Sequence, residues 1–208
     1  MARPKSRGTA YTLKINLDGI KPRIWRTFSV PGEITLDRLH DVIQIVMGWQ
    51  ESHLHCFQID GERYTEASED QEMDGLEEGG AKLCDLVLRA KIRFEYEYDF
   101  GDGWHHTLVV DHIQQVPEKH RACVACFEGK RRCPPEDVGG VSGYEEFVEA
   151  IRDSKHEEHD RYLEWVGGKF DSEHFDIRAV NLELLKYARW ARPRVHQQEL
   201  LVGGLSDP

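Results

Sequence analysis

The chain has 208 residues, 39% of them hydrophobic and 31% charged, a globular composition with enough apolar material for one sizeable core. With 27 Lys+Arg against 38 Asp+Glu the net charge is -11, which disfavours bulk binding to phosphate backbones or anionic membrane and leaves only a local nucleic-acid contact open. No stretch approaches the roughly 20 apolar residues that span a bilayer, and the first eight residues lack the apolar centre of a secretory signal, so the expected location is the cytoplasm.

Residues 1–10 read as a flexible N-terminus, followed by a single α+β domain over 11–191. Residues 11–17 alternate as a strand, Asp18 and Gly19 supply a turn, and 23–30 resume the extended pattern with Ile24 and Phe28 on one face. Thr35 then caps a predicted helix whose apolar positions Leu36, Leu39, Val42, Ile43, Val46 and Met47 follow helical spacing, with Gly48 as its stop. A further strand is expected over 53–59. Residues 65–80 hold seven acidic side chains and no Lys or Arg, and are expected to form a mobile acidic loop that can be shortened at little cost. In 91–99, Ile92, Phe94, Tyr96 and Tyr98 alternate with Arg93, Glu95, Glu97 and Asp99, a half-buried strand whose hairpin partner is 104–116.

After Pro117 an irregular Cys-, Pro- and Gly-rich stretch runs to residue 143. Helices follow: one with Ser142 and Glu145 as a capping box, one over 157–166 stopped by Gly167 and Gly168, and one over 177–191. Residues 192–208 read as a flexible tail. The sum is a sheet core over 11–116, a loop over 117–143 and a helical part over 144–191. The sheet is expected to be curved and mostly antiparallel, of about five strands, with one packed helix in a β-grasp-like element order and C-terminal helices covering an edge or end.

Three arrangements could carry chemistry. His120, Cys123, Cys126 and Cys133 place four ligands of the kind zinc prefers in one short segment, which would hold a structural ion with no open position; reduced thiols in a surface loop are the plain alternative. His53 and His55, two apart on a predicted strand, would project from one face as a metal-binding pair, or serve as ordinary core histidines bonded to carbonyls. The third is the run from Tyr98 to His106. A three-residue hairpin loop of Asp102, Gly103 and Trp104 leaves Asp99 diagonal to His105, whereas a two-residue loop of Asp102 and Gly103 sets Asp99 opposite His106. Either register lets Asp99 reach one imidazole and raise its pKa, although Asp102 also suits a plain turn and Trp104 a core anchor. Glu136 and Asp137, between a Pro pair and a Gly pair, form a rigid presentation of two carboxylates to a cation or a basic partner.

Five blocks stand in order: Arg23 to Arg26; Leu39-His40 with Ile43-Gln44, Gly48-Trp49 and His53-Leu54; Tyr96 to Trp104; Cys126 to Cys133; and Pro134 to Gly140. In this combination the chain resembles the plasmid pRiA4b ORF-3-like family over roughly residues 11–185. The resemblance implies a family of uncharacterised molecular function found on plasmids, in mobile-element settings and in chromosomes. Two functional readings stand beside it. One is a non-catalytic binding or adaptor module for a protein partner, stabilised by zinc and contacting its ligand through Trp104, Glu136 and Asp137. The other is a metal-dependent hydrolase-like enzyme using His53, His55, Asp99, Asp102 and His105 or His106 around one cleft.

Overall fold

A computed structural model describes residues 7–66, 75–117 and 124–190 of the chain. It is a mixed α+β structure built on one open sheet of eight strands in the order β5-β4-β3-β6-β7-β1-β2-β8. The strands are β1 (Arg7–Leu17), β2 (Ile24–Pro31), β3 (His55–Ile59), β4 (Glu62–Thr65), β5 (Leu76–Glu77), β6 (Arg93–Tyr98), β7 (Trp104–Pro117) and β8 (Ala125–Lys130). Five helices accompany them: α1 (Leu36–Met47), α2 (Leu83–Leu86), α3 (Gly140–Arg152), α4 (His159–Trp165) and α5 (Ile177–Trp190). All pairings are antiparallel except β4 with β5. The β-grasp likeness is one of element order alone, since β1 lies between β2 and β7 and is antiparallel to both.

Strand alternation sends Leu13, Ile15 and Leu17 of β1, Phe94, Tyr96 and Tyr98 of β6, and Trp104, Leu108 and Val110 of β7 into the core. The buried stripe of α1, with Leu36, Leu39, Val42, Ile43 and Val46, belongs to the same hydrophobic cluster. Thr35 occupies the N-cap position with extended backbone, but its hydroxyl bonds the side chain of Asp37 and does not cap the helix. Gly48 ends α1 in a left-handed conformation, its N–H donating to Gln44 O at 2.8 Å.

Four expectations are corrected. The sheet has eight strands, because β4, β5 and β8 are short segments stabilised by their neighbours. Helix α3 starts at Gly140 with Gly139 as its N-cap, so Ser142 lies inside the helix and is not the cap. The hairpin of β6 and β7 takes neither register considered above: Tyr98 faces Trp104 and Tyr96 faces His106, leaving a loop of residues 99–103. Finally, part of the acidic run packs. Leu76 and Glu77 pair with β4, and Glu78 is 3% exposed, its carboxylate 3.0 Å from His55 Nε2. Residues 67–74 of that run, residues 1–6 of the expected flexible N-terminus 1–10 and the expected tail 192–208 lie outside the described residues, whereas residues 7–10 are ordered as the start of β1, paired with both β2 and β7. Removing Glu78 strips a buried imidazole of its partner, so Glu78→Ala is expected to lower unfolding free energy by about 1–3 kcal/mol in urea denaturation.

The far edge of the sheet is closed by a side chain. Asn181 of α5 accepts from Cys126 N and donates to Cys126 O, both at 2.9 Å, imitating a further strand at the exposed edge of β8. Among the described residues no helix is long and apolar enough to cross a membrane.

Candidate functional site

Three chain segments meet beyond the ends of β3 and β6. The first is the approach to β3, residues 50–54. The second is the 99–103 loop, and the third is the turn 134–139 that feeds α3. Asp99 adopts a left-handed backbone (φ 56°), stabilised as its N–H donates to Leu54 O at 2.9 Å and its carbonyl accepts from Gly103 N at 2.6 Å. Its Oδ1 accepts the N–H groups of Gly101 (3.0 Å) and Asp102 (3.2 Å). The other oxygen, Oδ2, is left facing His53 Nε2 at 3.5 Å.

Glu136 is fixed in a comparable way. Its Oε1 accepts from Gln50 N at 2.8 Å and from the Tyr98 hydroxyl at 3.1 Å, and that hydroxyl accepts from Ser52 N at 3.0 Å. Its Oε2 stays buried without a hydrogen bond, 3.8 Å from His53 Nε2. Asp137, again with left-handed backbone (φ 57°), brings Oδ1 to 3.1 Å from the same nitrogen. None of the three approaches has hydrogen-bond geometry, so the buried Nε2 has carboxylates around it and no hydrogen bond among the described residues. Ligand atoms of His53, Asp99 and Asp137 lie within 4.8 Å of one another, close to what one ion with bonds of about 2.0–2.2 Å can bridge. The site has a closed and an open side: the Asp99 side chain is 8% exposed and that of Asp137 71%.

The surrounding residues hold these segments together. Asp102 Oδ2 accepts from Gly139 N at 3.1 Å, and a Cβ on Gly140 would stand 2.5 Å from Asp102 O, so the loop and the turn touch backbone to backbone. Trp104 is fully buried, its ring 5.5 Å from that of Trp49, which in turn lies 5.3 Å from Tyr98. Trp104 and Asp102 therefore have structural positions in this frame. Glu136 and Asp137 face His53, while Arg131 pairs with Glu173.

The sequence expectations for this region separate cleanly. Asp99 meets His53 and not His105 or His106, because its left-handed backbone turns the carboxylate towards β3 and away from β7. His105 is exposed opposite Glu97. His106 is fully buried, with Nδ1 3.0 Å from Trp104 O and 3.3 Å from Tyr96 O. Both neighbours are acceptors, so Nδ1 carries the proton. His55 does not share a site with His53. It binds Glu78 and stacks on His40 at 3.5 Å, and His40 Nδ1 lies 2.7 Å from the Tyr96 hydroxyl, which also accepts from Gln44 Nε2 at 3.0 Å. Glu78 and His40 were not foreseen, and nothing in a run of acids marks one of them for burial. His40, Asp41 and Glu51 form a second group with metal-compatible spacing.

Burial governs the ionisation of two of these rings. Desolvation, with the nearby His55 adding to it, lowers the His40 pKa to about 3. Desolvation lowers His106 to about 4 against the opposing carbonyl contacts, with His105 a minor lowering influence. Both folded-state values lie below the unfolded value near 6.5, so the unfolded chain takes up protons that the folded one refuses. The stability they contribute is intact above pH about 6.5 and falls as pH drops towards 4, with a combined loss on the order of 5 kcal/mol near pH 4.5. Urea denaturation from pH 7 to 4.5 should show this slope, and His40→Gln should remove about one proton from it. An unchanged slope in that variant would refute the assignment.

Of the proposed zinc set, His120 and Cys123 lie outside the described residues. Cys126 and Cys133 are buried free thiols, raised by desolvation to about 11 and about 12, with the Arg26 guanidinium acting in the opposite direction on each. A cleft of about 450 Å³ lies elsewhere, between the β1–β2 turn and α3, and shares no residue with the His53 group.

The sequence model of the family described as plasmid pRiA4b ORF-3-like protein matches residues 9–179, and the chain belongs to that family. It is 36% identical over 187 residues to the uncharacterised protein y4hQ of Sinorhizobium fredii (strain NBRC 101917 / NGR234), spanning 86% of this chain and 93% of that protein. Among solved structures it is similar to the protein of unknown function MM3350 from Methanosarcina mazei Go1. That likeness has a TM-score of 0.73 and 36% identity, and covers 83% of this chain and 98% of the other.

Proposed function

We propose that this member of the plasmid pRiA4b ORF-3-like family holds a divalent cation with His53, Asp99 and Asp137, with the Glu136 carboxylate beside them, and acts as a metal-dependent hydrolase. The observation that carries the reading is the convergence of one imidazole nitrogen and three carboxylates, from three separated chain segments, around an Nε2 that no hydrogen bond satisfies. One imidazole with carboxylates suits manganese, iron or zinc. When bound, such an ion would acidify a coordinated water and polarise a carbonyl or phosphoryl oxygen. The chain supplies the rest. Gly101 and Asp102 N–H groups orient Asp99, Tyr98 and Gln50 orient Glu136, and the exposed side at Asp137 admits solvent and substrate.

The binding-module reading loses Trp104 as a partner contact, because that ring is fully buried, and keeps Glu136 and Asp137; what favours it is that Asp102 is taken up in holding the turn. Two measurements separate the readings. Chelated protein given saturating manganese or zinc should gain about 2–3 kcal/mol, a rise of roughly 5–10 °C in Tm, and Asp99→Asn should lose that gain. The metal-loaded protein should then hydrolyse nitrophenyl acetate or nitrophenyl phosphate, and His53→Ala should not. A Tm gain without turnover would support the binding module, and no gain at all would remove the cation.

A further inference from the structure

The β1–β2 turn lies so close to α3 that a Cβ on Gly19 would stand 2.8 Å from Val141, and beside this contact the chain opens into the cleft of about 450 Å³. That volume falls in the range of about 300–1,000 Å³ usual for small-molecule sites. Its inner wall is made of Ile20, Arg131, Tyr144 and Val148, all less than 10% exposed. Two of these are unusual. The Tyr144 hydroxyl is buried and has no hydrogen-bond partner among the described residues. Arg131, at 5% exposure, has left-handed backbone (φ 68°) and a guanidinium tied through Nε to Glu173 and through Nη1 to Pro22 O. A buried donor without a partner costs folding free energy, and strained non-glycine backbone gathers at binding sites.

Charge then narrows the ligand. Arg131 and Arg152 approach the same Glu173 oxygen at 2.9 and 3.5 Å, so two guanidiniums share one carboxylate, and of the two only Arg131 belongs to the inner wall. The rim carries Lys21 and Arg152 but also Glu145, Glu149 and Asp153, which repel a multiply charged anion. The walls formed by Ile20, Pro22 and Val148 accept an apolar body. We infer that this cleft is a binding site for a small monocarboxylate with an apolar body, its carboxylate taken by Arg131 and the Tyr144 hydroxyl. The site is independent of the cation centre and stands whether or not a metal is bound there.

The test uses the whole chain, with phenylacetate as probe and phenylacetamide and inorganic phosphate as controls, followed by amide NMR shifts. Phenylacetate should produce saturable shifts at Ile20, Arg131 and the first two turns of α3, with phenylacetamide and phosphate producing none. Tyr144→Phe should leave folding intact, because the hydroxyl it removes bonds nothing among the described residues, and should weaken phenylacetate about fivefold, the effect of losing one hydrogen bond. An absent or non-saturating response, equal shifts with phenylacetamide, or unchanged affinity in Tyr144→Phe would overturn the inference.

Discussion

Arg26→Ala is expected to lower unfolding free energy by about 3–5 kcal/mol, read as a fall in urea midpoint at unchanged slope. Arg26 is 1% exposed, a cation whose donors are taken by backbone carbonyls: Val46 at 2.7 Å, and Trp25, Lys130 and Arg131 at 2.8 Å. Its guanidinium also lies 3.9 Å from the centre of the Phe175 ring. One side chain thus ties the end of α1 to β2 and to the residues closing β8, and its removal leaves buried acceptors unsatisfied. Arg26→Lys should recover little of the loss. An ammonium has three donors on a point charge, and cannot reproduce a planar fork that bonds four carbonyls while stacking on a ring. A loss below about 1 kcal/mol for Arg26→Ala would show that the carbonyls find other partners.

The second large effect is expected at Gly143. A Cβ there would stand 2.1 Å from Val138 O, in the turn that carries Glu136 and Asp137 into the site. The clash is with backbone, so Gly143→Ala must move the start of α3 or the turn before it, at a cost of about 2–4 kcal/mol. The same movement displaces the proposed ligand Asp137 together with Glu136 beside it and should weaken cation binding at least about tenfold, since ligand geometry must hold to a fraction of an ångström. Gly80→Ala is the control, because a Cβ at Gly80 meets nothing within 4 Å and should stay within about 0.5 kcal/mol of wild type.

Legibility in the sequence followed the source of each element's stability. The alternation in β6 and the apolar stripe of α1 are intrinsic patterns, and both elements formed close to where they were expected. Strand β8 has the sequence Ala-Cys-Phe-Glu-Gly-Lys, with no clean alternation, and depends on β2 and on Asn181. Its partners are distant in sequence, so no local signal announces it. The start of α3 was misplaced because Gly139 and Gly140 adopt positive φ, a freedom that reads in sequence as loop. At the candidate site the residue types were legible but one partnership was not. Asp99 was identified as a carboxylate seeking an imidazole, and the hairpin register pointed it at β7. One left-handed residue reversed its direction and delivered it to His53, with Glu136 and Asp137 arriving from a turn more than thirty residues later. The sequence likewise held no sign that one acid of an acidic run, Glu78, would be buried against His55.

Metal content of the purified protein tests the central claim most directly, measured per chain in wild type, His53→Ala, Asp99→Asn and Cys126→Ser. The account predicts about one divalent ion per chain in wild type, retained in Cys126→Ser and lost in both His53→Ala and Asp99→Asn, with all three variants folded. An ion that disappears with Cys126→Ser and persists in His53→Ala would contradict it, moving the metal to the cysteine segment as structural zinc. So would wild-type protein that binds no divalent ion after chelation and reloading.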